Sequence, residues 1–357
     1  MHPIGQHFLA ALRDTEVTNE VRDLILKEKV LGFTLFKWNI ESVEQLRELT
    51  TELHALAAQA GYPLVLAIDQ EGGRVERLPE PYLQIPAMRK WYEAYQTSGN
   101  TKLFYELGTM LAEEVKSCGF NLNFAPVVDV DTNPVNPIIG NRAFSSEAEI
   151  VYQCAKDLIR GMHDHGVMSC LKHFPGHGAT SADSHLELPV DDRDFSEIQN
   201  IDLLPYKRLI EDDLAPTLMT AHVKYPKIDN EVPATLSPVI LSDLLRGELG
   251  YQGIIFSDDF LMKAIFDHYG LHDACLKFFK SDGDVVLICK YPDMTLKLIS
   301  QLRSELKGQM LEKKLVDSHV RIRAMQARYL KPLPVFPKAD LAPLLAKHVD
   351  FVGKYFS

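Results

Sequence analysis

Lys172-His173-Phe174-Pro175-Gly176-His177-Gly178-Ala179-Thr180-Ser181-Ala182-Asp183-Ser184-His185 follows directly on the apolar run Val167-Met168-Ser169-Cys170-Leu171. A short apolar run bounded by Pro and Gly reads as a buried strand. The loop it enters holds a lysine, three histidines and an aspartate within fourteen residues. Buried polar groups need partners or water, so a folding core has no use for such a loop. In an α/β protein, the loops after strand C-termini are where catalysis sits.

The rest of the chain repeats that grammar. Runs of β-forming residues at 8–12, 32–36, 64–68, 122–128, 168–174, 217–223, 253–257 and 284–289 alternate with amphipathic stretches at 42–60, 102–117, 146–163, 238–249 and 294–306. The first run is the weakest. Eight strands alternating with helices predict an α/β fold, a single-domain (β/α)8 TIM-type barrel over residues 1–330. The Pro-containing segment 331–357 reads as an extended strap with a short helix at 340–348 that packs on the barrel. An open doubly wound sheet would call for a GxGxxG turn, whereas Asp69-Gln70-Glu71-Gly72-Gly73-Arg74 has adjacent glycines and acidic groups where a pyrophosphate would lie.

The strand ends point to function. The runs lead into Lys37-Trp38-Asn39, Asp69-Gln70-Glu71, Asp129-Val130-Asp131, Lys172-His173, His222-Val223-Lys224 and Asp258-Asp259. In a parallel barrel these ends share one rim, which makes the chain a barrel enzyme. A net charge of −11 argues against nucleic-acid binding, which requires Lys and Arg to neutralise phosphates, and against anionic membranes. The five cysteines are scattered without a CxxC pair, so buried reduced thiols are expected, and with them a reducing compartment. The first seven residues lack an export-signal pattern and no run has the roughly 18 apolar residues of a membrane span. The expected location is the cytoplasm, with a trimmed leader or anchor left open.

Asp69-Gln70-Glu71-Gly72-Gly73-Arg74-Val75, Lys172 to Gly178, Asp183-Ser184-His185 and Phe256-Ser257-Asp258-Asp259 together resemble, in order and spacing, glycoside hydrolase family 3. The Asp-Ser-His element is similar to that of its bacterial β-N-acetylglucosaminidases (β-N-acetylhexosaminidases), including single-domain ones acting in peptidoglycan recycling. The resemblance implies a retaining enzyme in which Asp258 is the nucleophile, His185 the acid/base and Asp183 its orienting partner. It places Asp69, Arg77, Arg142, Lys172 and His173 around a terminal N-acetylglucosamine. A carbohydrate is the implied partner, with no cofactor.

Other readings of single residues stand beside this one. An Asp after a strand often caps a turn, a role that suits Asp259 or Ser257 better than Asp258. The Asp183/His185 pair could stabilise its own loop. His222 is either a rim residue or a satisfied core histidine. Asp129 is expected to hold the arginines, Asp131 to cap the turn before Asn133-Pro134, and His177 to shape its loop. Trp38 and Tyr225 could each stack on sugar or cap the barrel end. His163 and His165 are expected to be exposed. Pro175 and Gly176 break the helix that would align His173 and His177 on a metal, so no metal site is expected. Two functional alternatives remain: a phosphorylase that uses phosphate in place of water at the same site, and a non-catalytic sugar-binding protein.

Overall fold

The structure, a computed structural model, describes residues 4–181, 188–305, 309–330 and 341–356. Eight parallel strands close into a barrel in sequence order. They are β1 (Phe8–Ala11), β2 (Gly32–Leu35), β3 (Val65–Ile68), β4 (Leu122–Asn123), β5 (Met168–Phe174), β6 (Thr217–Thr220), β7 (Ile254–Asp259) and β8 (Val285–Ile288). The weakly patterned first run closes the ring, pairing Leu9 with Gly32 of β2 and with Leu287 of β8. The ladder at β4 is shorter than the apolar run 122–128 predicts. Pro126 has no N–H to give, yet the segment keeps beside β5, where Val128 N–H donates to Lys172 O at 2.9 Å.

Successive side chains of a strand point to opposite faces, and the core divides accordingly. Leu9, Ala11, Val65, Ala67, Val285 and Leu287 pack inside the barrel with Phe124 and Phe256, whose rings meet edge to face at 5.8 Å. Their neighbours Phe8, Ala10, Leu66, Ile68, Val286 and Ile288 face the helical layer.

The helices lie where the amphipathic stretches predict them, among them Val43–Gln59, Leu103–Ser117, Ala148–Asp164 and Val239–Glu248. Ser42 caps the first of these by accepting from Gln45 N–H at 3.1 Å. Gly108 lets two of them pack backbone to backbone, since a Cβ there would strike the Leu158 carbonyl. The long helix Gln309–Tyr329 sends Ile322 and Met325, with Leu330 beyond it, into the interior cluster. Met325 and Tyr329 border the starts of β6 and β7, so this helix closes the amino-terminal end of the barrel.

Beyond residues 331–340, which lie outside the described set, the last helix runs Ala342–Gly353, longer than the predicted 340–348. It docks on the outer layer. Phe351 stacks on Trp91 at 5.5 Å, and His348 reaches Glu114 at 2.9 Å. All five cysteines are buried and unpaired, and no helix among the described residues is long and apolar enough to cross a membrane.

Candidate active site

At the carboxyl ends of the strands lies a cavity of about 660 Å³. Asp69, Arg77, Arg142, Lys172, His173 and Asp258 all line it, so residues from β5, β7 and the loops after β3 and β4 meet there. Asp183 and His185 lie outside the described residues.

The floor is an ionic cluster. Lys172, almost fully buried, places Nζ 2.9 Å from Asp69 Oδ1 and 2.5 Å from Glu71 Oε1. Arg142 grips the same glutamate with two parallel bonds, Nε to Oε2 and Nη2 to Oε1, both 2.8 Å. Burial alone would raise the Glu71 carboxyl, but the charges of Arg142 and Lys172 overcome it and hold the group well below the usual carboxylate range. Arg77 Nη2 stands 3.6 Å from Asp69 Oδ2. Asp69 is therefore flanked by cations on both oxygens, held in place with lone pairs left to accept further hydrogen bonds.

The first turn of the 172–185 loop is organised by Asp129, which is buried. Its Oδ1 accepts the backbone N–H of His177 at 2.7 Å and of His173 at 3.2 Å, while Oδ2 lies 2.7 Å from His173 Nδ1. Burial works against the ionised carboxylate, but the neighbouring His173 and His177 together outweigh it and keep the pKa low. As an acceptor, Asp129 fixes the His173 proton on Nδ1. Asp129 thus holds the two histidines; the arginine expected for it is held by Glu71. Asp131, expected to cap a turn, pairs with Arg89 at 2.9 Å. His177 shapes the loop through Nδ1 and Thr180 Oγ1 at 2.7 Å, and burial with the nearby His173 pushes its pKa down to about 4. Gly178 is required where the loop presses on the 129–131 segment, because a Cβ would overlap the Val130 carbonyl.

The two carboxylates ending β7 divide their work. Asp259 Oδ1 accepts Leu261 N–H at 3.0 Å and Cys289 N–H at 3.1 Å, which makes it the turn cap. Burial pushes its pKa up to about 6 against those two bonds. Asp258 is partly exposed to the cavity, with Oδ1 accepting Asp259 N–H at 2.8 Å. Ser257 is buried and accepts Leu287 N–H at 3.0 Å. His222 is a satisfied interior histidine, bonded to Thr235 Oγ1 at 2.8 Å and Asp259 O at 3.1 Å.

Trp38 and Tyr225 part company. Tyr225 is 1 % exposed and donates to Gly176 O, which removes it from sugar stacking, whereas Trp38 is 49 % exposed on the cavity. His163, expected at the surface, is half-buried against Ser169 Oγ at 2.9 Å. Glu71 is the site residue the sequence reading left out. Its spacing two residues beyond Asp69 was the available signal, since i and i+2 share a face in extended chain.

The family profile for the glycosyl hydrolase family 3 N terminal domain matches residues 5–325. The beta-hexosaminidase of Alkalilimnicola ehrlichii is 40 % identical over 296 residues, which are 82 % of this chain and 83 % of that protein. That of Hydrogenovibrio crunogenus is 39 % identical over 320 residues, 89 % and 87 % of the two chains. Among solved structures, a family 3 β-N-acetylglucosaminidase from Paenibacillus superposes with a TM-score of 0.88 at 30 % identity, covering 99 % of this chain and 68 % of its own. NagZ from Neisseria gonorrhoeae, solved with N-trifluoroacetyl-D-glucosamine, gives 0.74 at 32 % identity, covering 93 % and 98 %.

Proposed function

Because this chain belongs to glycosyl hydrolase family 3 and is a glycoside hydrolase, we propose that it is an exo-acting, retaining β-N-acetylglucosaminidase that removes terminal N-acetylglucosamine from glycans or muropeptides. The observation that carries this reading is the position of Asp258 on the same cavity as the Asp69–Lys172–Glu71–Arg142 cluster. The cavity thus brings hydroxyl-binding charges and the Asp258 carboxylate into one space.

In this mechanism an Asp258 oxygen forms a bond to the anomeric carbon as the bond to the leaving oxygen breaks. His185 gives that oxygen its proton. In the second step His185 takes a proton from water, which attacks the anomeric carbon and releases Asp258. Asp183 orients the imidazole and favours its charged form. Asp69 accepts protons from sugar hydroxyls, Lys172 and Arg142 set the charge around it, and His173 offers Nε2 because Asp129 holds Nδ1. A reducing, cytoplasmic setting suits the five unpaired thiols.

Initial rates on chromogenic β-N-acetylglucosaminide, β-glucoside and β-xyloside, each with and without phosphate, test the proposal. Turnover confined to the first substrate and independent of phosphate is the expected result. Strict phosphate dependence identifies a phosphorylase instead, and absence of turnover on all three leaves only a sugar-binding protein.

A further inference from the structure

The chain that carries Asp183 and His185 leaves β5 after Phe174, and its described part resumes at Leu188. Both ends are fastened to the segment that follows β6. On the entry side, the Tyr225 hydroxyl donates to Gly176 O. On the exit side, Lys224 N–H donates to Pro189 O at 2.9 Å and Lys224 O accepts Asp191 N–H at 2.8 Å, so Val190 lies parallel to Lys224. A second tie joins the two ends by charge. Arg193 grips Asp191 with Nε to Oδ1 at 2.9 Å and Nη2 to Oδ2 at 2.7 Å, and the same Nη2 lies 2.8 Å from Asp202 Oδ2. Asp202 is buried, and Gly176 rests directly on it, since a Cβ at Gly176 would strike the Asp202 side chain. An ionic clasp of Asp191, Arg193 and Asp202 thus runs from the exit of the loop to the underside of its entry. The described lining of the cavity includes none of these three side chains, so the clasp acts only through the chain it holds. The guanidinium is a rigid planar fork, and a two-pronged grip fixes direction as well as distance.

We propose that Arg193 is a positioning residue for proton transfer: by locking the exit of this loop beneath its entry, it sets where the acid carried on the loop stands relative to Asp258. The proposal rests on the reading of His185 as the acid/base. A general acid must come within about 2.6–3.2 Å of the oxygen it protonates, and a displacement of about 1 Å can cost about 10²-fold in rate. Asp258 is held by β7 and the barrel itself. The acid depends instead on the two fastened ends, Gly176 and Pro189, which are thirteen residues apart in sequence. Loss of the clasp therefore impairs proton donation and spares nucleophilic attack.

The test compares kcat/KM, which covers the steps up to release of the phenol, on phenyl and dinitrophenyl β-N-acetylglucosaminide. The first leaving group needs a proton and the second does not. Wild type, His185→Ala, Arg193→Ala and Asp191→Asn are measured on both. Arg193→Ala should lower kcat/KM about 10²-fold on the phenyl substrate and leave the dinitrophenyl one nearly unchanged. Burial pushes the Asp202 pKa up to about 7 against the pull of Arg193, so in Arg193→Ala this carboxyl sheds its charge by taking a proton and the fold is kept. Asp191→Asn keeps the backbone bond to Lys224 and weakens the grip of Arg193. It should shift the phenyl-to-dinitrophenyl ratio the same way by less, and it decides the question if Arg193→Ala fails to fold. An unchanged ratio in the clasp variants, with a lowered one in His185→Ala, overturns the clasp alone. Equal losses on both substrates also overturn it, because they place Arg193 in the fold. An unchanged ratio in His185→Ala, or a wild type inert on both substrates, overturns the underlying reading and the clasp with it.

Discussion

Glu71 and Arg142, 71 residues apart in sequence, form a two-bond pair with both contacts at 2.8 Å. The pair stands under the cavity, and Lys172 completes it from β5. A buried charge pair adds little net stability over an apolar substitute, but breaking one leaves an uncompensated charge. The cluster is thus best understood as a means of holding Asp69 and Arg142 at fixed places.

Glu71→Gln should therefore damage both fold and function. Leaving Arg142 and Lys172 short of a negative charge is expected to cost about 3 kcal/mol or more, measured by denaturant unfolding, with a large fall in kcat/KM. The Glu71 pKa is depressed in the folded state, so its contribution is present above the ordinary carboxylate range and lost as pH falls below it. In Glu71→Gln that acid-side loss should disappear from the stability–pH curve.

Asp258→Ala is expected to lower kcat by about 10³-fold or more with the fold intact, since covalent catalysis has no substitute nucleophile. Asp259→Asn, which keeps an acceptor oxygen for Leu261 and Cys289, should retain far more activity. Assays of both variants beside circular dichroism decide the matter. The opposite order moves the nucleophile by one residue.

Asp259 also carries a pH signature. Burial raises its folded pKa to about 6 from an ordinary 3.8. A raised folded pKa means that its contribution is full below the unfolded value and lost as pH rises through about 6. Asn is neutral throughout. The Tm of wild type relative to Asp259→Asn should therefore fall between pH 4 and pH 7, and a parallel pair of Tm–pH curves would count against it.

Asp129→Asn probes the histidine's tautomer. An amide donor facing His173 Nδ1 would move the ring proton to Nε2, replacing an acceptor with a donor on the cavity side. The expected result is a loss of about 10²-fold or more in kcat/KM, the kind of penalty tautomer inversion brings in a catalytic triad. Retained activity with an unchanged pH–rate profile would show that the orientation of His173 is not used.

His185→Ala should separate leaving groups. General acid catalysis contributes about 10²–10⁴-fold, so cleavage of a sugar–sugar bond should suffer far more in the first step than cleavage of an acidic aryl glycoside. Asp183→Ala should show a milder form of the same pattern. Pre-steady-state bursts are needed, because in the proposed mechanism His185 also activates water, so the intermediate would accumulate. Equal losses of the first step for every leaving group would remove His185 from the acid role.

What was legible in the sequence was local. The short apolar runs of the strands, the amphipathic stretches between them and the polar strand ends are short-range patterns, and they pointed to a barrel with its polar groups on one rim. The resemblance names Asp258, and the cap falls to Asp259 or Ser257 in the sequence; the structure gives the capping bonds to Asp259. Tertiary structure alone decided which charge meets which. Asp69 and Lys172 are 103 residues apart and Asp129 and His177 48 apart, and attraction between charges depends on distance in space, which sequence separation does not set. It likewise decided that Tyr225 is buried under the loop while Trp38 stays open on the cavity. Both are large aromatics at the ends of strand runs, and only the packing of the chain around each ring distinguishes a core residue from a binding surface.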